Sequence, residues 1–192
     1  MTLNQSERKV ISDLWSRKVD QDAHKLPKQE RHRNIEPISA EFICALAIGV
    51  RAARLLEIGG SSGISTIALA VAARATGGRL VSIEIEPVRQ AEAKKNISSL
   101  GLAEFVDFRL GDATSVIPGL TGLNFVLIDC EKEDYIRFFD MLPLSAGAVI
   151  AADNVLLHNL TDYIEHVRAM PNTESITLPI GKGLEVTHYL ST

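Results

Sequence analysis

The chain has 192 residues, of which 46% are hydrophobic and 23% are charged, as expected for one globular domain with a full hydrophobic core. Its formal net charge is −4 at pH 7, which argues against nucleic acid or a membrane as a general partner. No run reaches the ~18–20 apolar residues that span a bilayer, and the start MTLNQSERKV lacks a signal core. We therefore expect a cytoplasmic protein, with Cys44 and Cys130 as reduced thiols in apolar contexts.

The N-terminal part, residues 1–37, is predicted to add a helix and a basic linker to a core of residues 38–192. Apolar residues at helical spacing predict an amphipathic helix near 6–22, whose apolar face suits either a homodimer or the chain's own core. Basic residues dominate from His24 to Arg33, which fits a solvated linker or a docking surface. Ser39 is placed to cap a second helix.

From Arg54 onward, short apolar runs alternate with helical segments. In chain order these are RLLEI, a helix near 64–75, LVSIEI, a helix near 88–100, FVDFRL, NFVLIDC, a helix near 133–142, and AVIAAD. Such alternation predicts parallel strands joined by crossover helices. The tail SITLPI-GKG-LEVTHYL predicts an antiparallel hairpin. The predicted fold is a Rossmann-like, doubly wound α/β domain with a mostly parallel seven-stranded sheet.

In such sheets, ligands bind beyond the carboxyl ends of the strands, where the strand order reverses. The first strand ends in EIGGSSGIS, and its glycines let the backbone turn tightly and approach a ligand. Neither the dinucleotide pattern G-x-G-x-x-G nor a P-loop fits this segment, so a nicotinamide oxidoreductase ranks last. Glu57 beside the loop suits a ligand with an ammonium group, although an ordinary tight turn remains an alternative.

The second and third strands also end in acidic residues. Glu84 is placed to accept hydrogen bonds from both ribose hydroxyls of a nucleoside, whereas Glu86 beside Pro87 is typical of a helix N-terminus. After the third strand, Asp112 and Ala113 form a small polar corner that could admit a flat base and bind its exocyclic amine. The alternatives are a solvated strand end for Glu84 and a common Gly-Asp turn for Asp112.

The fourth and fifth strands end in Asp129 and in the pair Asp153-Asn154. Because neighbouring strands lie ~4.8 Å apart, these side chains can converge. Two carboxylates and an amide oxygen form a ligand set that suits Mg²⁺ or a similar divalent cation. The alternative is that Asp129 and Asn154 cap helices. His158 lies five residues after Asp153 in the chain. It could approach the predicted cation site, but it is better interpreted as a structural or solvent-exposed residue.

Together these motifs resemble the cation-dependent O-methyltransferases, the family that includes catechol and caffeoyl-CoA O-methyltransferases. The similarity runs from about Glu36 to the C-terminus and is carried, in order, by LLEIGGSSGIST, VSIEIEP, GDA, LIDCEKEDY and AADNVL. The resemblance implies S-adenosylmethionine as the methyl donor. It implies cofactor-binding roles for Glu57, Gly59, Gly63 and Ser65 at the amino-acid end, Glu84 at the ribose, Asp112 and Ala113 at the adenine, and Asp129.

The resemblance further implies that Asp129, Asp153 and Asn154 bind the divalent cation and that Asp129 and Lys132 are catalytic, with Lys132 as the general base. The acceptor is expected to be a small hydroxylated, catechol-like molecule. One alternative is a methyltransferase of the same fold that acts on RNA or another macromolecule, using residues 24–33 to dock. Another is a non-catalytic module that only binds S-adenosylmethionine.

Overall fold

A seven-stranded sheet with strand order β3-β2-β1-β4-β5-β7-β6 lies at the centre of the fold. The structure is a computed structural model that describes residues 3–27, 30–157 and 160–190. Strands β1 to β5 pair in parallel, and β7 pairs antiparallel with β5 and β6, which confirms the predicted fold class. The strands are β1 Arg54–Ile58, β2 Arg79–Glu84, β3 Val106–Leu110, β4 Leu123–Ile128, β5 Leu144–Ala152, β6 Thr173–Leu178 and β7 Leu184–Tyr189.

Helices cover both faces of this sheet. They are α1 Gln5–Ala23, α2 Pro37–Gly49, α3 Ile64–Thr76, α4 Pro87–Ser99, α5 Ala113–Val116, α6 Tyr135–Met141 and α7 Thr161–Ala169. Successive strand residues point to opposite faces, so Leu55 packs in one hydrophobic cluster with residues of α1 to α4, and Leu56 packs in a second cluster with residues of α5 to α7. In the described ranges, no helix is both long and apolar enough to cross a membrane.

Three details of the N-terminal and C-terminal parts differ from, or add to, the sequence prediction. The predicted cap Ser39 is wrong, because α2 begins at Pro37, with Glu36 before it, and Ser39 is buried inside the first turn. Proline favours the first position of a helix, since its fixed φ matches the helix and its missing N–H is not needed there. Helix α7 was not predicted. Ile11 and Leu14 of α1 pack into the chain's own core, whereas Val19 near the end of that helix is 50% exposed.

The sheet topology brings several strand ends to one crevice. Strand β1 lies between β2 and β4, and the chain order of the strands reverses there. The carboxyl ends of parallel strands meet at the same edge of a sheet, and a reversal of this kind opens a gap between the helices that follow. The ends of β1, β2, β4 and β5 therefore surround one opening.

Candidate active site

A cavity of about 580 Å³ lies in this crevice, within the ~300–1,000 Å³ range of small-molecule sites. Its wall combines strand ends, the segment of residues 31–34 and the turn between β6 and β7. The predicted site residues that line the cavity are Gly59, Glu84, Asp112, Ala113, Asp129, Lys132 and Asn154. The structure thus brings seven of the predicted residues to one opening.

The loop after β1 connects three of the strand tips. Gly59 has φ +98°, and a Cβ atom added there would lie 1.9 Å from the backbone oxygen of Asp129, at the end of β4. The next contact is to β2, because the backbone N–H of Ser61 donates a 2.7 Å hydrogen bond to Oε2 of Glu84. The loop therefore fixes Glu84 and Asp129 relative to each other.

Replacing Gly59 by alanine is expected to lower the free energy of unfolding by roughly 4 kcal/mol, because the new Cβ meets backbone that cannot move aside. Gly77 has φ +71° and open space around its Cβ position, so Gly77→Ala should lose only about 1–2 kcal/mol. Urea denaturation of both variants measures the difference. If both variants lose the same free energy of unfolding, the contact between Gly59 and the end of β4 is not tight.

Glu84 is buried at the end of β2 with lone pairs still available. Its Oε2 accepts from Ser61, its Oε1 accepts from the backbone N–H of Glu86 at 2.9 Å, and its exposed fraction is 6%. The Arg89 guanidinium forms an ion pair with Oε1 at 4.0 Å. Each carboxylate oxygen can accept a second hydrogen bond, so Glu84 keeps acceptor capacity for hydroxyl groups inside the cavity. This geometry contradicts the alternative of a solvated strand end. Glu86 precedes α4 as its N-cap, as predicted.

Glu57, Gly63 and Ser65 lie behind the loop and do not line the cavity. Glu57 is fully buried, and its Oε2 accepts hydrogen bonds from Ser82 Oγ at 2.5 Å and Thr66 Oγ1 at 2.6 Å. Burial raises the pKa of Glu57, and hydrogen bonds from Ser65, Ser82 and Thr66 oppose that rise. Direct contacts between these residues and the cofactor stay a prediction. Their buried positions favour a role in stabilising the loop after β1.

Asp112 both caps a helix and faces the cavity. Its Oδ1 accepts from the backbone N–H of Thr114 at 2.8 Å at the start of α5, so the turn predicted as an alternative is present. Hydrogen bonds from Thr114 lower the pKa of Asp112. Because Asp112 and Ala113 also line the cavity, the carboxylate remains available to an amine there.

The tips of β4 and β5 converge as predicted. The Asn154 amide nitrogen donates a 3.0 Å hydrogen bond to Oδ1 of Asp129. Burial raises the pKa of Asp129, and the neighbouring charge of Asp153 raises it further. Neither residue caps a helix, so the alternative of helix capping is not seen. The short 3₁₀ turn after Asp129 starts at Lys132 and has Glu131 at its N-cap, and α7 has Leu160 at its N-cap.

These three side chains fit a divalent cation. Asp153 is only 2% exposed, burial raises its pKa, and its Oδ1 has no hydrogen-bond partner among the described residues. The charge of Asp153 acts on Asp129, and two neighbouring carboxylates repel each other unless a proton or a cation compensates them. A half-turn of the Asn154 amide would present its oxygen instead of its nitrogen. The described ranges contain no group of three or more His, Cys, Asp or Glu side chains that could hold a metal ion. The candidate ligand set is therefore two carboxylates and one amide.

Lys132 lies beside this set. It begins the 3₁₀ turn Lys132–Asp134, is exposed, and lines the cavity three residues after Asp129. Its position agrees with a general base for a molecule held next to Asp129. His158, the remaining candidate near the site, lies outside the described residues.

The segment of residues 31–34, which we call the strap, covers the loop after β1 and was not predicted. The backbone N–H of Arg33 donates to Ser61 Oγ at 2.9 Å, and the Asn34 amide donates to Ser62 Oγ at 2.8 Å. The Arg33 guanidinium forms an ion pair with Glu131 across the cavity. The strap is therefore part of the site wall. Residues 28 and 29 of the basic stretch lie outside the described residues.

Comparisons with known proteins place the chain among methyltransferases. A family model described as O-methyltransferase matches residues 12–184. A catechol O-methyltransferase of Mycobacterium tuberculosis is 35% identical over 139 residues, which cover 70% of this chain and 61% of the relative. One from Niastella koreensis is 35% identical over 130 residues, 64% of this chain and 58% of the relative. The chain thus spans about three fifths of the length of these curated relatives.

The fold also matches solved structures. An O-methyltransferase from Bacillus cereus, determined in complex with SAH, superimposes with a TM-score of 0.80. The match covers 97% of this chain and 92% of that one, at 22% identity. At this level of identity the likeness concerns the fold.

Proposed function

Because the chain belongs to the O-methyltransferase family, we propose that it transfers a methyl group from S-adenosylmethionine to a small hydroxylated, catechol-like acceptor with the help of a divalent cation. The observation that carries this proposal is that Glu84, Asp129 and Asn154 line one cavity, with Asn154 hydrogen-bonded to Asp129 and with the buried carboxyl group of Asp153 next in the chain to Asn154. The groups that we propose for nucleoside binding and for cation binding would thereby belong to one small-molecule site. Membership of the family confirms the resemblance seen in the sequence.

The cavity wall offers a matching group for each part of the cofactor. Glu84 has acceptor capacity beyond its two backbone hydrogen bonds for the ribose hydroxyls, and Asp112 with Ala113 offers a polar corner for the adenine. S-adenosylmethionine would supply an activated methyl group on a positively charged sulfur. The Bacillus cereus protein of the same fold, solved with SAH, supports this choice.

Asp129, Asp153 and Asn154 would hold the divalent cation, since their oxygen atoms are the ligand type that Mg²⁺ prefers. The cation would supply positive charge that favours the ionised form of a nearby hydroxyl group. Binding it also relieves the repulsion between the two carboxylates.

The chain's own part in the reaction is to orient the acceptor and take its proton. With the acceptor next to Asp129, the amine of Lys132 receives the hydroxyl proton. The acceptor oxygen then forms a bond to the methyl carbon as the carbon–sulfur bond breaks, and the electron pair of that bond stays on sulfur. Holding the oxygen and the methyl carbon in line supplies much of the acceleration.

Methyl transfer from labelled S-adenosylmethionine to catechols, hydroxycinnamates and RNA, with and without EDTA, tests the proposal. We expect turnover of at least one diol that falls at least 10²-fold when EDTA removes the cation and returns when Mg²⁺ is added in excess. Labelling of RNA that EDTA does not affect would contradict the proposal. Cofactor binding without turnover of any acceptor would also contradict it, and would favour a non-catalytic module.

A further inference from the structure

Tyr135, the first residue of α6, links the segment after β4 to the tip of β5. Its side chain is only 2% exposed and lines the cavity. Its hydroxyl group donates a 2.9 Å hydrogen bond to the backbone carbonyl oxygen of Asp153. Its backbone N–H donates to the carbonyl group of Lys132, which begins the turn after β4. One residue therefore connects the turn that carries the candidate general base with the end of the strand that carries two candidate cation ligands.

The carbonyl group that Tyr135 holds belongs to the peptide unit between Asp153 and Asn154. A peptide unit is planar, so a hydrogen bond to its oxygen atom restrains the orientation of the whole unit. Strand β5 ends at Ala152. Beyond it, the N–H of Asp153 still donates to Ile128 of β4 at 3.0 Å, and the carbonyl group of Asp153 accepts from Tyr135. Asp153 is thus fixed by β4 through its N–H and by Tyr135 through its carbonyl group.

The backbone at Asn154 needs such a restraint. Asn154 has φ +63°, in the left-handed region that residues other than glycine rarely adopt, although asparagine tolerates it better than most. Conformations of this kind persist where the surrounding contacts determine them. After Asn154, these contacts are the 3.1 Å hydrogen bonds from the N–H groups of Val155 and Leu156 to the turn between β6 and β7. Before it, the contact is the Tyr135 hydroxyl group.

Tyr163 of α7 provides a comparison within the same chain. Its ring stacks edge to face on that of Tyr135, with the centroids 5.5 Å apart. Both side chains are at most 2% exposed, and both pack in the same hydrophobic cluster. The Tyr163 hydroxyl group, however, has no hydrogen-bond partner among the described residues. The two tyrosines therefore share their burial and packing, and the hydrogen bond to Asp153 distinguishes Tyr135.

We propose that Tyr135 is a positioning residue of the cation site, whose hydroxyl group holds the Asp153–Asn154 peptide unit so that both side chains face the cation. This inference rests on the proposed function, and it gives Tyr135 no part in the proton transfer or in the methyl transfer. The effect of the hydroxyl group should be confined to the cation, because Glu84 lies at the end of β2, which β1 and β4 separate from β5.

Calorimetric titration of Mn²⁺ into the SAH complex of the wild type, of Tyr135→Phe and of Tyr163→Phe tests the inference. Loss of a group that orients metal ligands typically costs about 10–100-fold in metal affinity. We therefore expect Tyr135→Phe to raise the Kd for Mn²⁺ at least about tenfold and to leave the Kd for SAH, measured without metal, within twofold. Tyr163→Phe removes the same atom from an equally buried ring and should leave both values within twofold.

The dependence of catechol methylation on Mg²⁺ gives a second readout. In Tyr135→Phe, the Mg²⁺ concentration for half-maximal rate should rise by about the same factor as the Kd for Mn²⁺, and additional Mg²⁺ should restore most of the lost rate. A rate that additional Mg²⁺ does not restore would contradict a role confined to the cation.

An unchanged Kd for Mn²⁺ in Tyr135→Phe would overturn the inference and leave the proposed function standing. Equal losses of Mn²⁺ and SAH affinity would overturn it as well, because they indicate a general effect on packing. The same loss in Tyr163→Phe would lead to the same conclusion. A wild type whose SAH complex binds no Mn²⁺ would contradict the proposed function and this inference together.

Discussion

Replacing Asp129 by alanine is expected to lower the rate of methyl transfer by about 10³-fold and to change the Kd for S-adenosylmethionine only a few-fold. The side chain shares the candidate cation site with Asp153 and Asn154, so its removal leaves two ligands and eliminates charge stabilisation next to the acceptor oxygen. The residues proposed to bind the ribose and the adenine lie on other strand ends. Single-turnover transfer and calorimetric binding measure the two quantities separately.

Two further variants make the Asp129 result interpretable. Asp129→Asn keeps the volume and a hydrogen-bonding group for Asn154, so it guards against loss of fold in the alanine variant. Asp107→Ala removes a carboxylate from β3 that pairs with Arg109 outside the cavity, and we expect its activity to be near wild type. If Asp129→Asn loses cofactor affinity as strongly as activity, Asp129 holds the cofactor and does not serve a metal.

Replacing Glu84 by glutamine is expected to weaken binding of SAH about 10²-fold. Both Glu84 oxygens already accept a backbone N–H, and in the proposed function their remaining acceptor capacity would serve the two ribose hydroxyls. In the glutamine side chain, one carboxylate oxygen is replaced by an NH₂ group, which would face the backbone N–H of Ser61 or of Glu86. The other of these two hydrogen bonds keeps an oxygen acceptor but loses its negative charge. The loss of one or two charge-assisted hydrogen bonds lowers the binding free energy by about 3 kcal/mol. Isothermal titration calorimetry measures the Kd.

The matched control is Glu86→Gln. It removes the same charge two residues away, from a side chain that does not line the cavity, and should leave the Kd for SAH within twofold. Thermal unfolding of both variants without ligand shows whether the loop after β1 has been disturbed. A Kd for Glu84→Gln equal to that of the control would contradict ribose binding by Glu84.

The sheet could be predicted from sequence because its strands are short, apolar and bounded by helical periodicity. The run RLLEI coincides with β1, Arg54–Ile58, and the C-terminal hairpin was predicted from two strand patterns around GKG. Helix α7 was missed because only Tyr163 and Val167 of its nine residues are buried, so the polar majority resembled a loop. Local patterns predict elements well when most of one face is buried, and poorly when two residues hold the helix in place.

The core of the site was also predictable, since the carboxyl ends of parallel strands share one edge. That rule alone brought Asp129 next to Asn154, 25 positions later in the chain. The strap was not predictable, because its contacts join Asn34 to Ser62 over 28 positions and Arg33 to Glu131 over 98 positions. Such pairings leave no periodic signal, and a run of basic residues resembles a solvated linker.

Anomalous diffraction from crystals grown with SAH and Mn²⁺ tests most directly whether one cavity holds a cation and a nucleoside side by side. We expect a single strong manganese peak about 2.1–2.3 Å from oxygen atoms of Asp129, Asp153 and Asn154, with the ribose of SAH on Glu84. Bound SAH without manganese among these three side chains, or manganese bound elsewhere, would contradict the account.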